Sequence, residues 1–214
     1  MKKILIIGAH YDDAELGVGG TAAKLVAEGC EVYKVTLTDN EVAESIFNKE
    51  TKQQDSIEDS RRACEILGIK EISGIHQMPV CQLVYTTSMM QEVERIICDY
   101  HIDTVFVHSE FDTNQDHCAA GKISKTAARH CDNILIYQSN LYICEKPFYP
   151  TVFFDISDYI DKKREALSQY GIEHQRYGAT EETLFENNMN RNKLWGYSNE
   201  VRYAEGFLPF KLLF

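Results

Sequence analysis

Lys3-Ile4-Leu5-Ile6-Ile7-Gly8 opens the chain with an unbroken apolar, largely β-branched run closed by glycine. A strand with one wet face alternates apolar and polar residues, so a continuous run requires burial on both faces, as in a parallel sheet covered by helices. Parallel strands need crossover connections, and the next segment supplies one. Thr21 to Glu28 carries helix formers with apolar positions three and four apart, and Gly29 stands where a helix-stopping glycine belongs. Glu31 to Thr38 then alternates like a second strand and completes a β-α-β unit.

The alternation continues. Helices are expected from about Thr51 to Leu67, closed by Gly68, from Ser88 to Tyr100, from Gln115 to Arg129 and from Asp158 to Tyr170. Strands are expected near Ile72 to Gln77, at Ile102 to His108, at Asn133 to Gln138 and at Thr151 to Asp155. This pattern predicts an α/β fold, a Rossmann-like open, mostly parallel sheet with helices on both faces. The 214 residues, 44% hydrophobic, suit one domain, and no linker, repeat or low-complexity stretch divides them. Beyond Tyr170 the pattern weakens into polar residues mixed with Phe185, Trp195, Tyr197, Tyr203, Phe207, Phe210 and Phe214. Such aromatics serve edge packing or a subunit contact, and a homo-oligomer is expected.

Charge narrows the partners. With 22 basic against 33 acidic residues the net charge is −11, which repels phosphate backbones and anionic lipid, so neither nucleic acid nor a membrane surface is expected. No apolar segment reaches spanning length. The seven cysteines (Cys30, Cys64, Cys81, Cys98, Cys118, Cys131 and Cys144) form no C-x-x-C pair, which suggests reduced thiols and a cytoplasmic protein.

Ligands of open α/β sheets bind beyond the carboxyl ends of the central strands, in the loops that follow them. The first such loop reads Gly8-Ala9-His10-Tyr11-Asp12-Asp13-Ala14-Glu15-Leu16-Gly17-Val18-Gly19-Gly20. A dinucleotide site needs G-x-G-x-x-G and little negative charge, whereas three carboxylates here repel phosphate. The late glycines read as close backbone approach or the beginning of the helix. His10 and Asp13, three apart on a tight turn, converge on one point as ligands of a divalent metal such as zinc. A plain loop histidine beside a helix-capping aspartate is the competing reading of this loop alone.

The loop after the 102–108 strand reads His108-Ser109-Glu110-Phe111-Asp112-Thr113-Asn114-Gln115-Asp116-His117. Its D-x-N-x-D spacing resembles an EF-hand start, but His117 replaces the required glycine and Ile123 the bidentate glutamate. What remains is a second His/Asp cluster, able to donate a third ligand across the crevice.

Together, Ala9-His10-Tyr11-Asp12-Asp13-x-Glu15-Leu16-Gly17-x-Gly19-Gly20 and Asn114-Gln115-Asp116-His117 resemble the A-H-P-D-D-E and H-x-D-H hallmarks of the PIG-L/LmbE family of zinc-dependent N-deacetylases. Weaker matches extend along the chain, at Leu67-Gly68, at Asp155-Ile156-Ser157 to Lys163, at Ala166-Leu167 and at Tyr203-Ala204-Glu205-Gly206-Phe207. The resemblance implies a single deacetylase domain over residues 1–214, with His10, Asp13 and His117 binding Zn2+ and Asp12 as general base. It implies a hydrolase that removes an N-acetyl or similar small acyl group from an amino-sugar or glycoconjugate substrate, freeing acetate and an amine.

Three positions depart from the family pattern. Tyr11 replaces the proline, Ala14 the glutamate after the two aspartates, and Asn114 the first histidine of H-x-D-H. Asn114 can donate a hydrogen bond to an oxyanion but cannot transfer a proton, so Asp12 must carry more of the acid work, or His108 contributes. A helix N-cap is the alternative role of Asn114. Asp116 is then a supporting carboxylate or a first-turn charge, and Asp112 a supporting carboxylate or turn chemistry. His76, His101, His130 and His174 are read as surface or packing residues, and Arg61 and Arg62 as a solvated helix face or a grip on a substrate anion. No G-x-S-x-G elbow or activated cysteine points to covalent catalysis. A relative that binds without turnover and a different metallohydrolase such as a phosphoesterase remain as alternatives.

Overall fold

The computed structural model describes residues 1–42, 50–140, 142, 144–171 and 184–213. The opening apolar run is strand β1 (Lys3–Gly8), and α1 (Asp13–Ala27), β2 (Glu31–Thr36), α2 (Gln53–Leu67), β3 (Lys70–Glu71), α3 (Thr87–Asp99) and β4 (Thr104–His108) follow it. Next come α4 (Gln115–Ala127), β5 (Asn133–Tyr137), β6 (Val152–Asp155), α5 (Ile160–Leu167), α6 (Leu184–Ser198) and β7 (Ala204–Lys211). The strands form one sheet in the order β3-β2-β1-β4-β5-β7-β6. β1 to β5 pair in parallel, and β7 runs antiparallel between β5 and β6.

The apolar run works as its pattern requires. Ile4 and Ile6 point into a core with residues of α1 and α2, whereas Leu5 and Ile7 point into a second core with residues of α3 and α4. All four side chains are buried. At roughly 1.5–3 kcal/mol for each fully buried aliphatic side chain, this strand anchors both layers. The open, mostly parallel α/β sheet with helices on both faces is therefore present. Strand order reverses between β1 and β4, which makes the loops after these two strands the walls of the crevice.

Three elements differ from expectation. α1 begins at Asp13 and runs through Gly17, Gly19 and Gly20. Glycine disfavours a helix interior, but a Cβ at Gly17 would run into the Tyr137 ring, so close packing of α1 on β5 overrides propensity there. The third strand is only Lys70–Glu71, and the 72–77 segment expected to be a strand belongs to the following loop. The tail forms α6 and β7, and β7 carries Pro209 despite pairing with a strand on each side. Phe207 is buried in the core, whereas Tyr197 and Phe210 are exposed. No helix among the described residues is long and apolar enough to cross a membrane.

A buried knot fixes the turn after β1. Lys34 pairs with Glu15 at 2.8 Å, both wholly buried, and its ammonium also donates to the Tyr11 carbonyl oxygen and to Ser60. The Tyr170 hydroxyl donates to the same Tyr11 oxygen at 2.8 Å. Removing one partner of such a pair strands a buried charge, so the carbonyl of the residue between His10 and Asp12 is held by groups from β2 and the end of α5.

Candidate metal centre

The first half of the centre is the turn from β1 into α1. The His10 backbone N–H donates to Asp13 Oδ2 at 2.7 Å, which closes the turn and brings both side chains to one side. The second half is the start of α4. Asp112 Oδ1 accepts the Asn114 N–H at 2.9 Å, and Asn114 Oδ1 accepts the N–H groups of Asp116 at 2.8 Å and His117 at 3.4 Å. Asn114 is thus the N-cap of α4, and its cap places His117 in the first turn, back over the strand ends. α4 lies so close to the end of β4 that a Cβ at Gly121 would approach the His108 carbonyl oxygen to 2.6 Å.

These two halves bring His10, Asp13 and His117 together, with one donor atom from each inside a 4.8 Å span. His10 Nδ1 is 3.2 Å from His117 Nε2, His117 Nε2 is 3.2 Å from Asp13 Oδ1, and His10 Nδ1 is 3.4 Å from Asp13 Oδ2. Donor atoms bound about 2.1 Å from a four-coordinate metal stand roughly 3.4 Å apart, so donor groups at these spacings suit such an ion. Asp13 Oδ1 is buried and, among the described residues, faces the His117 imidazole and no other donor, as an oxygen kept for an ion requires.

Each imidazole also has a carboxylate behind it. His117 Nδ1 lies 3.1 Å from Asp112 Oδ2, and His10 Nε2 lies 3.2 Å from Asp116 Oδ2. Such partners orient metal-binding histidines and raise their basicity. Asp116 is fixed in turn by the N–H groups of Cys81 at 2.6 Å and Leu83 at 3.1 Å, where Cys81 adopts a positive φ of 64°. Asp112 and Asp116 therefore both act as supporting carboxylates. His108 and Tyr137 lie beside Asp13; in the sequence His108 reads as a strand-end histidine, a ligand or a contributor to the acid work, and nothing marks Tyr137, whose partners are distant in sequence.

Electrostatics follow the same map. Burial pushes His117 down, but Asp13 and Asp112 outweigh it and hold the imidazole up at about 9. His10 behaves alike, with Asp116 and Asp13 overcoming burial to raise it. Burial pushes Asp13 up, and the surrounding His117, His108 and His10 bring it well below the carboxylate range. Near neutral pH the metal-free centre therefore holds protons that a metal must displace. As pH falls through about 9, protonated His117 accumulates and metal affinity drops. Calorimetric titration of metal into the stripped protein at pH 7, in buffers of different ionisation enthalpy, is expected to show net proton release; buffer-independent heats would contradict this protonation pattern.

Asp12 precedes α1, makes no side-chain cap, and lines a small cleft with Asn40, Ser56 and Tyr170. Its charge adds to those that raise His10, and it is not one of the three converging residues. Arg61 and Arg62 pair with Glu58, Glu65 and Asp59 along α2, a solvated helix face. His76, His101 and His130 are exposed, and His174 lies outside the described residues. Tyr11 is buried with its hydroxyl on Gln77, and Ala14 packs in the core. All seven cysteines are free thiols.

Comparison with known proteins agrees with this arrangement. The profile of the PIG-L family, described as GlcNAc-PI de-N-acetylase, matches residues 5–128, which include both loops of the centre. The chain is 30% identical over 176 residues, 79% of its length and 90% of the relative's, to a protein of Escherichia coli K12 named uncharacterized deacetylase YaiS. It is 27% identical to the diacetylchitobiose deacetylase of Thermococcus kodakarensis over 98% of this chain and 84% of that protein. Among solved structures, GalB, the 4-carboxy-2-hydroxymuconate hydratase of Pseudomonas putida KT2440, superposes with a TM-score of 0.79 at 18% identity, covering 100% of this chain and 98% of that one. At that identity the likeness is one of fold, and a fold alone does not decide chemistry. The profile match and the relatives do: the chain belongs to the PIG-L family of de-N-acetylases, hydrolases of amide bonds.

Proposed function

We propose that the protein is a zinc-dependent N-deacetylase whose single domain, residues 1–214, removes an N-acetyl or similar small acyl group from an amino-sugar-type substrate. The observation that carries this reading is the convergence of His10, Asp13 and His117, which bring one donor atom each to within 4.8 Å of one another. Two imidazoles and one carboxylate are a donor set suited to catalytic zinc, which keeps an open position. Bound there, zinc would supply Lewis-acid chemistry, acidifying water and polarising the amide carbonyl. Asp12 takes the proton of the attacking water and returns it to the leaving nitrogen. The sugar part of the reading is supported by the relative that acts on diacetylchitobiose. Seven free thiols support a reducing, cytoplasmic setting.

Fluorescamine detection of free amine from a panel of N-acetyl amino sugars tests this. Amine that appears with the zinc-loaded protein, vanishes after chelation and returns with zinc is the expected result. Metal without amine across the panel would favour a relative that binds without turnover, and a two-metal requirement would favour a phosphoesterase. Among the described residues, His10, Asp13 and His117 form one metal-ligating group, which supports a single-ion site.

Asn114 is the residue in this reading with two jobs. Its Oδ1 is committed to the helix cap, which leaves its amide N–H2 to donate to the developing oxyanion. Asn114→Asp keeps the cap and removes the donor. Turnover is expected to fall about 100- to 1,000-fold with thermal stability unchanged. Wild-type kcat in this variant would reduce Asn114 to a cap.

A further inference from the structure

We propose that His108 and Tyr137 form a bracket that divides the labour of the Asp13 carboxylate, with Oδ2 held by the protein so that Oδ1 is kept for the metal. The inference rests on the metal-centre reading above and extends it to two residues outside the ligand set. His108 ends β4 and is wholly buried, so it touches neither solvent nor substrate. Its Nε2 has three neighbours: Tyr137 Oη at 2.9 Å, Asp13 Oδ2 at 3.1 Å and the Ala9 backbone N–H at 3.2 Å.

A carboxylate only accepts, and a hydrogen bond to a charged acceptor is about twice as strong as a neutral one. The charged Asp13 acceptor outweighs the Ala9 N–H, which would donate to an unprotonated Nε2, and selects the tautomer of His108 with its proton on Nε2. The Tyr137 hydroxyl already has an acceptor of its own, the Ile7 carbonyl oxygen at 2.8 Å. Asp13 Oδ2 then receives two donors, His108 Nε2 and the His10 N–H, whereas Oδ1 receives none and faces His117 Nε2. A carboxylate free to rotate would exchange these oxygens; this one is pinned.

The rings carry the same restraint. His108 stacks on His117 at 4.2 Å and 16°, and packs against Tyr137 at 4.5 Å and 43°. Tyr137 is itself fully buried and seated where α1 has only the hydrogen of Gly17. Asp13 of α1 and His117 of α4, which belong to different elements, are thereby referenced to β4 and β5, adjacent parallel strands near the middle of the sheet. A second observation argues that packing alone did not choose this histidine. Its Nδ1 is buried with no partner, a cost that an aliphatic or phenyl side chain would avoid.

The test compares the metal-stripped wild type with His108→Phe, His108→Gln and Tyr137→Phe. Co2+ is titrated into each, its visible absorption is recorded, and its affinity is measured against a chromophoric chelator, with melting of the metal-free forms as the control for folding. His108→Phe is expected to lose about 10- to 100-fold in Co2+ affinity and to change the spectrum, with no matching loss of metal-free stability. His108→Gln, whose amide nitrogen can stand in for Nε2, is expected to recover most of the affinity. Tyr137→Phe keeps the ring and is expected to lose Co2+ affinity measurably, by a few-fold and less than the roughly tenfold of a lost histidine partner. Equal affinity and spectrum in wild type and His108→Phe would overturn the bracket while leaving the metal centre intact. If His108→Phe does not fold, unchanged affinity in Tyr137→Phe overturns it instead. A wild type that takes up neither Co2+ nor Zn2+ removes the metal centre itself, and the bracket with it.

Discussion

His117→Ala is expected to empty the metal centre and abolish turnover. The substitution deletes one of three protein ligands, and an ion held by two loses both affinity and the geometry that leaves an open position. It also strands Asp112, a buried carboxylate whose Oδ2 faces His117 Nδ1 at 3.1 Å. That loss costs about 1–3 kcal/mol, enough to lower the melting temperature while the helix cap on Asn114 survives. Elemental analysis and the fluorescamine assay on the same preparation check both halves. Metal retained at one ion per chain together with wild-type turnover would remove His117 from the centre.

Asp12→Asn separates chemistry from binding. The change is isosteric, and the Asp12 side chain does not cap α1, so the helix start has little to lose. Asp12 is not one of the three converging ligands, so zinc content is expected to stay near that of the wild type. The carboxamide cannot accept the proton of the attacking water, and kcat is expected to fall by about two to four orders of magnitude. Asn114 cannot transfer a proton, so it cannot replace Asp12 as the acid. A fully active Asp12→Asn protein would show that another group activates the water.

How much of this was legible in the sequence depends on the range over which each residue acts. β1 was plain because burial on both faces leaves an unbroken apolar run, and its alternate residues do divide between the two cores. The start of α1 was misplaced because glycine propensity is a local property, whereas Gly17 answers to Tyr137, 120 positions away in sequence. β7 escaped notice because an antiparallel strand that carries Pro209 reads as a breaker until its two neighbours are known. In the centre, His10 and Asp13 were visible since a single turn joins them, and the D-x-N-x-D-H string exposed the other half. The supporting contacts were not. The N–H groups of Cys81 and Leu83 on Asp116, and the His108–Tyr137 pair beneath Asp13, come from loops and strands that only the folded sheet brings together. Asn114 is readable as cap or as oxyanion donor, and the structure shows the cap.

Elemental analysis of the protein purified from zinc-supplied medium shows whether His10, Asp13 and His117 hold one zinc ion. About one zinc per chain is expected, lost on chelation and restored by reloading. Protein that carries no metal and cannot be loaded, although folded, would contradict it and return the three residues to ordinary loop and helix-start chemistry.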